Sequence, residues 1–491
     1  MQKLGAIPVG PGQVEFRVWA PRAESVAVRL AAAEHALARA GDGTWSADVP
    51  ADVGDDYEFV LDGAQAWPDP CSRWQPEGVR GPSRVVDMRA FDIAPRPGLK
   101  LDELVIYELH VGTFTADGTF DGVVPRLRGL RELGITAIEL MPVATFPGNR
   151  NWGYDGLYNF AAHPVYGGPR GLAHLVDAAH REGLAVILDV VYNHFGPGSE
   201  AIAAFGPYFT DRHDTFWGEA IDYTQKGVRE WAIQNAQLWT NEYKIDGLRL
   251  DAVHAIYDES EPHVLAELKQ RVDALVISEM NHEDLRPLEK WGHDAMWFDN
   301  LHHELHVLLT GETAGYFTDF GTLDGLVREL RRPEGEHLVV CAQNHDQVGN
   351  RAVGDRLPPD AHRVALACVL FSLQTPLVFM GEEYDEQNPF LFFTDHLDPA
   401  IAEATREGRR REVTRTSGSS GEAPDPQAVQ TFERSKLTPR EPDPLFRELL
   451  ALRRTMPRTL DVAVDGKRVL LTRGETTLIL DFDARAVELR S

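Results

Sequence analysis

The stretch GLAHLVDAAHREGLAVILDVVYNH (171–194) decides the fold. Its first half, GLAHLVDAAHREG (171–183), spaces apolar residues three and four apart and stops at a glycine, which is the pattern of an amphipathic helix with one buried face. Its second half, AVILDVVYNH (185–194), begins as an unbroken apolar run and ends in polar groups. A strand that is apolar at every position is covered on both faces, as in a parallel sheet wrapped by helices.

The same unit recurs on either side of it. Further strands are expected at LVIYELH (104–110), AIELMPV (137–143), GLRLDAV (247–253), LVISEM (275–280), AMWFDN (295–300), LVVCAQNHD (338–346) and PLVFMGEE (376–383). Helical stretches such as GVVPRLRGLRELG and VREWAIQNAQLWTNEY separate them. Eight strand-then-helix units imply an α/β fold, a TIM (β/α)8 barrel. A doubly wound open sheet would alternate in the same way, but no glycine-rich phosphate fingerprint follows the first strand.

The flanks read differently. Residues 1–92 alternate in short runs, QVEFRVWAP and DYEFVLDG among them, with Gly, Asp and Pro between. They predict an N-terminal β-sandwich of immunoglobulin-like, carbohydrate-module-like form. The barrel is expected over 93–456, and VAVDGKRVLLTRGETTLILDFD (462–483) places a short C-terminal β-domain in 457–491. The polar stretch REGRRREVTRTSGSSGEAPDPQ (406–427) reads as a solvated excursion from the barrel.

Composition narrows the partners. The 491 residues carry 76 acidic against 49 basic side chains, a net charge of −27, and that field repels phosphate backbones and anionic lipid heads. We therefore expect no nucleic-acid partner and no membrane partner. Neutral, hydroxyl-rich ligands suit it. No run approaches the roughly 20 apolar residues of a membrane span, MQKLGAIPVGPGQ lacks the apolar segment of a secretory leader, and the expected location is cytoplasmic. Cys71, Cys341 and Cys368 fall in no metal-ligand or disulfide spacing.

The chemistry collects at the C-terminal strand ends, where barrel enzymes carry their sites. Asp189 and His194, Arg249 and Asp251, Glu279, then His345 and Asp346 arrive there from four strands. Several acids around one cleft cannot all ionise cheaply, so one carboxyl is pushed up while an arginine holds another down. A carboxylate beside a protonated acid is the equipment of glycosidic bond cleavage, and it predicts a bell-shaped pH profile. Arg249 and Asp251, two apart on a strand, share a face, so the arginine can steady Asp251 as a nucleophile. The apolar context LVIS before Glu279 and Met280 after it favours a protonated acid there. Metal ligation by Asp189, His194, His345 and Asp346 is the alternative chemistry, but their spacing fits no metal signature, and neither metal nor cofactor is expected. Tyr154, Trp152 and Trp217 stand in the glycine-rich loops NWGYDG and TFWGEA, where a ring can either stack on a pyranose or pack the loop.

DVVYNH (189–194), GLRLDAVHA (247–255), ISEM (277–280) and QNHD (343–346) resemble, in order and spacing, the four short signatures of the α-amylase superfamily, glycoside hydrolase family 13. The resemblance implies α-retaining hydrolysis with Asp251 as nucleophile, Glu279 as acid/base and Asp346 as a third, sugar-binding carboxylate. It places Tyr154, His194, Arg249 and His345 on the substrate, and Asp189, Trp217, His254 and Glu382 are expected to bind it with them. Longer stretches, among them SRWQPEGVRGPSRVVD (72–87), YELHVGTFT (107–115) and PFLFFTDH (389–396), resemble its trehalose-releasing members. They imply cleavage of the α-1,4 bond next to the terminal trehalose of maltooligosyl trehalose, no metal cofactor, and functional partnership with maltooligosyltrehalose synthase. MNHEDLR (280–286) and FDNLHHELH (298–306) depart from the family pattern and are expected on the leaving-group side. A branching or debranching enzyme of the same superfamily is the alternative. A catalytically silent barrel would be expected to lose one of the three carboxylates, and all three are present.

Overall fold

A computed structural model describes residues 1–98, 100–280, 283–416 and 423–490. Eight strands close a barrel: β1 (Ile106–Leu109), β2 (Ala137–Leu140), β3 (Ala185–Val190), β4 (Gly247–Leu250), β5 (Leu275–Glu279), β6 (Ala295–Trp297), β7 (Leu338–Cys341) and β8 (Thr375–Phe379). Each pairs in parallel with the next, and β8 returns to β1 through the pair Ile106 and Leu377. All eight lie inside or within a residue of the predicted runs. They are shorter than predicted because the polar tails leave the ladder and become the loops of the rim.

The lumen explains why the apolar runs turn polar. Side chains alternate in and out along a strand, and the inward positions form a separate buried cluster that includes Ile106, Ala137, Ile187, Ile277 and Trp297. Two residues further along the same strands stand Glu108, Glu139, Asp189, Glu279 and Asp299. The apolar lumen thus gives way to acids toward one end in steps, with Glu108 and Glu139 level with Ile187 and Asp189 one layer higher. Outward-facing residues pack instead on the helices, such as Phe120–Leu133, Gly168–Arg181 and Pro359–Phe371, in the main core.

Two hairpins interrupt the alternation and build the rim. After β2, Ala144–Thr145 pairs with Tyr158–Ala162 and presents the loop that holds Trp152 and Tyr154. Gly153 in that loop has φ +110°, and a Cβ there would lie 2.1 Å from the Pro142 carbonyl oxygen, so only glycine lets the loop turn inward. After β3, Phe209–Thr215 pairs with Gly218–Ile221 and carries Trp217 at its tip.

On the N-terminal flank, two sheets face each other. One runs Gly5–Gly10, Gln13–Trp19, Thr44–Pro50, Ala38–Arg39; the other runs Ala33–Ala36, Val26–Leu30, Asp56–Leu61, Ala66–Trp67. Phe16, Val28, Tyr57 and Phe59 fill the space between them. Trp19 seats this sandwich on the barrel by lying against Gly227, where a Cβ would meet its ring at 2.1 Å. At the other end, Asp461–Asp465, Arg468–Arg473, Thr476–Asp481 and Ala486–Arg490 make an antiparallel meander.

One expectation needs correcting. The stretch 406–427 is no solvated excursion over its first part: Pro399–Thr416 is an 18-residue helix. Arg409, 5% exposed, donates to the carbonyls of Gly349 and Arg351 at 2.7 and 2.9 Å, and so anchors the loop beyond β7. Of the basic run, Arg409 caps backbone carbonyls of the rim, while Arg406 pairs with Glu403 and Asp425 and Arg410 stays exposed beside Glu403. Residues 417–422 lie outside the described residues. Cys71, Cys341 and Cys368 are buried free thiols. No helix among the described residues is long and apolar enough to cross a membrane.

Candidate active site

Arg249 organises the rim. It is fully buried at the end of β4, and its Nη1 donates to Asp189 at 2.9 Å and to Asp251 at 2.7 Å. Its Nη2 donates to Glu279 at 2.7 Å. The guanidinium also lies 4.1 Å over the Trp297 ring, so its apolar face is packed while its edge serves three acids. Burial works against this cation, but Asp189 and Glu279 more than restore it, and its pKa stands above the ordinary value.

Asp251 follows β4 by one residue. Its Oδ1 accepts from Arg249, and its Oδ2 accepts from Asn193 Nδ2 at 2.6 Å, leaving the carboxylate clamped from both sides. Ala252 then adopts φ +39°, ψ +51°, a left-handed turn costly for a residue with a Cβ. That turn aims the Ala252 N–H at Glu279 Oε2, 3.0 Å away. The apolar enclosure expected around Glu279 is absent: its side chain is 25% exposed and shares the arginine with Asp251. Among the described residues, Oε1 has no hydrogen-bond partner.

The acids that burial pushes up are others. Asp189, buried, is raised to about 7 by loss of solvent, with Arg249 pulling down and Asp251 pushing up. Asp299 touches the cavity but is crowded by protein, and burial, Glu279 and Asp346 raise it to about 7. Glu139, deep in the lumen with neither carboxyl oxygen bonded, is raised by burial and by Glu108 and Asp189.

Asp346 opens the short helix His345–Gly349, is a third exposed, and accepts from Asn350 at 3.0 Å. His345 lies buried beside it, its Nε2 3.3 Å from Asp346 and 2.7 Å from the Tyr154 hydroxyl. Tyr154 donates onward to Asp189 at 2.7 Å. His194 bonds the Tyr154 carbonyl at 3.0 Å and stacks on Trp217, ring centres 4.7 Å apart. Above these groups opens a cavity of about 770 Å³ with Glu279, Asp346, Asp299, Trp297, Trp217 and Tyr316 in its walls. Of the departing stretches, Met280, Phe298, Asp299 and His303 also reach this cavity, while Asn281 and His282 lie outside the described residues.

Of the eleven predicted site residues, nine therefore meet in one connected group. Two do not. Glu382 is buried with both oxygens occupied, by Gln343 and His362 at 3.1 Å and by the Phe379 N–H at 2.7 Å. The left-handed Gly381 turns the chain back under the rim, so Glu382 braces β8 instead of meeting the cavity. His254 sits half-buried in the turn Val253–Ala255, outside the cavity wall. Trp152 packs the loop, stacked on Phe390 at 5.2 Å. Asp299 falls in the stretch 298–306 expected on the leaving-group side, whereas sequence reasoning singles out none of Asn193, Trp297, Glu108 and Glu139. A charged residue inside an otherwise apolar strand, as in LVIYELH and AIELMPV, was the available signal for the last two.

A closed barrel, carboxylates gathered at its C-terminal rim and an aromatic-walled cleft define a glycoside hydrolase of the α-amylase class. Residues 93–206 match the family described as alpha amylase, catalytic domain, and residues 3–75 match carbohydrate-binding module 48, the isoamylase N-terminal domain. The chain is 43% identical over 465 residues to the malto-oligosyltrehalose trehalohydrolase of Saccharolobus solfataricus, covering 87% of this chain and 82% of that one. It is 40% identical over 545 residues to the enzyme of the same name from Deinococcus radiodurans, covering 99% and 90%. A crystal structure from Salmonella typhimurium, described as an alpha amylase, superposes with a TM-score of 0.89 at 36% identity, covering 98% of this chain and 93% of that one. The chain belongs to the malto-oligosyltrehalose trehalohydrolase family.

Proposed function

We propose that this hydrolase cuts the α-1,4-glucosidic bond next to the terminal trehalose of maltooligosyl trehalose, with retention at the anomeric carbon. The observation that carries the chemistry is the shared guanidinium. Asp251 and Glu279 are each held at 2.7 Å by one terminal nitrogen of Arg249, so neither carboxyl group can withdraw from the other. Retaining pairs stand about 5–5.5 Å apart and inverting pairs about 6.5–9.5 Å, and a common arginine favours the closer spacing.

In the first half-reaction Asp251 attacks the anomeric carbon while Glu279 gives its proton to the glycosidic oxygen, and trehalose leaves. In the second, Glu279 takes a proton from water, the water oxygen attacks the same carbon, and the Asp251 ester bond breaks to free the maltooligosaccharide. Asp346, with His345 and Tyr154 behind it, holds hydroxyls of the sugar as its ring flattens toward the oxocarbenium-like transition state. Asp189 and His194, both buried, back Tyr154 through its hydroxyl and its carbonyl, and Trp217 offers a ring face to the chain. We further propose the domain limits 1–92, 93–456 and 457–491, a cytoplasmic location, and a functional partnership with a maltooligosyltrehalose synthase that supplies the substrate.

The test is product analysis. Maltotriosyl trehalose and maltopentaose are incubated separately with the enzyme and the products resolved by chromatography. Trehalose and maltotriose from the first, with slow turnover of the second, are expected. Absence of trehalose together with cutting or branching of the plain glucan would overturn the assignment in favour of a branching or debranching enzyme.

A further inference from the structure

Glu108 is a buried acid that the reaction just described does not use. It stands in the lumen at the end of β1, 1% exposed, one layer below the rim. Its two oxygens grip the same residue twice: Oε2 accepts from the backbone N–H of His345 at 3.0 Å, and Oε1 lies 2.5 Å from the ring Nδ1. The far side of that ring bonds Tyr154, which bonds Asp189, and approaches Asp346. One carboxylate thus fixes the start of the helix that carries Asp346 and the orientation of the imidazole that supports it.

We propose that Glu108 is a positioning residue, which keeps His345 doubly protonated and thereby holds Asp346 and Tyr154 in their sugar-binding geometry. A carboxylate only accepts, so Nδ1 must carry a hydrogen. On the other edge, Tyr154 spends its own hydrogen on Asp189, so its oxygen accepts from Nε2–H. Both ring nitrogens then donate, which makes the ring a cation. Burial opposes that charge, but Asp346 and Glu108 outweigh it and carry the imidazole to about 10. The other titratable and charged groups that face it are Glu139 from β2, Asp189 from β3, Arg249 from β4, Asp299 beyond β6, and His110. A neutral His345 with its hydrogen on Nδ1 would still serve Glu108, but its bare Nε2 could bond Tyr154 only by taking the hydroxyl hydrogen away from Asp189.

The kinetic consequence rests on the function proposed above. Glutamine at 108 is nearly isosteric and can still accept from the backbone N–H of His345. Its amide then points a donor at Nδ1, which can accept only when deprotonated, so the ring is neutral at pH 8. Glu108→Gln is expected to lower kcat on maltotriosyl trehalose by about 10- to 100-fold at pH 8, the usual scale for such supporting groups. KM should stay within about threefold, because the lost support is felt most in the distorted transition state. The deficit should shrink at pH 5, where a histidine near its ordinary pKa of about 6.5 regains the charge. Glu108→Asp, which keeps the charge one methylene short, should recover part of the loss.

A merely structural role would give the same loss at both pH values, and that result, or kcat within threefold at pH 8 in a variant with unchanged thermal unfolding, would overturn the proposal. Should Glu108→Gln fail to fold, nitrogen NMR of 15N-histidine-labelled wild type decides, with His345→Gln used only to assign the resonance. Both ring nitrogens protonated at pH 8 is expected, and a neutral imidazole refutes the idea. That readout needs no substrate, so it stands even if wild-type enzyme released no trehalose, in which case the functional reading alone would fail.

Discussion

Asp189 offers a stability experiment whose size follows from its surroundings. Its carboxyl is buried beside Asp251 and holds its proton up to about pH 7, against an ordinary value of 3.8. Between those two values the native state binds more protons than the unfolded chain, so stability falls as pH rises, by about 1.4 kcal/mol per unit. The whole penalty is present above pH 7 and absent below pH 3.8. Asp189→Asn keeps the shape but cannot titrate. Its lost bond to Arg249 adds an offset between the two proteins, but that offset does not depend on this proton. From pH 5 to pH 7, where the group is already half ionised at the upper end, the wild type should therefore lose about 2 kcal/mol relative to the variant. Denaturant unfolding followed by tryptophan fluorescence, run on both proteins at pH 5, 6 and 7, measures the gap; six of the ten tryptophans lie in the barrel and carry its transition in a multidomain chain. The variant should be nearly inactive throughout. A gap that stays constant, or moves in favour of the wild type as pH rises, would show that Asp189 is ionised across this range and that the burial argument fails.

Asp251→Asn should fold and bind substrate normally yet lose several orders of magnitude in kcat, since no covalent intermediate can form; near-normal turnover would dismiss it as the nucleophile. Trp217→Ala removes an exposed ring stacked on His194 and should raise KM roughly tenfold with a smaller effect on kcat, which initial-rate kinetics will read. Gly227→Ala places a methyl into the Trp19 ring and should cost about 1–3 kcal/mol at the sandwich–barrel junction. Differential scanning calorimetry should show this as a lower unfolding temperature, with kcat intact below it.

Much of the molecule was legible before folding because two local rules sufficed. Period-two burial and unbroken apolar runs mark the strands of a parallel barrel, and all eight appear where those runs lie. Polar residues at strand ends announce the rim, so Asp251, Glu279 and Asp346 could be named from spacing and resemblance alone. What a residue does at the rim is a different matter. Glu382 and Asp346 both follow strand ends, yet one is sealed under the rim and the other faces the cavity, because one left-handed glycine redirects the chain. The run at 406–416 reads as solvated by composition, but Arg409 finds backbone carbonyls some 60 residues away in sequence.

Charge states divide along the same line. The sequence by itself determined the order of the elements, the barrel and the identity of the acids, since these depend on side-chain type and periodicity within a dozen residues. Only the tertiary structure decided that one arginine serves three acids, that Asp189 and Asp299 are held up near neutrality at the rim, and that Glu108 clamps His345. Each of those is a sum of desolvation and Coulomb interactions between groups carried on different strands, and such a sum has no value until the barrel has closed.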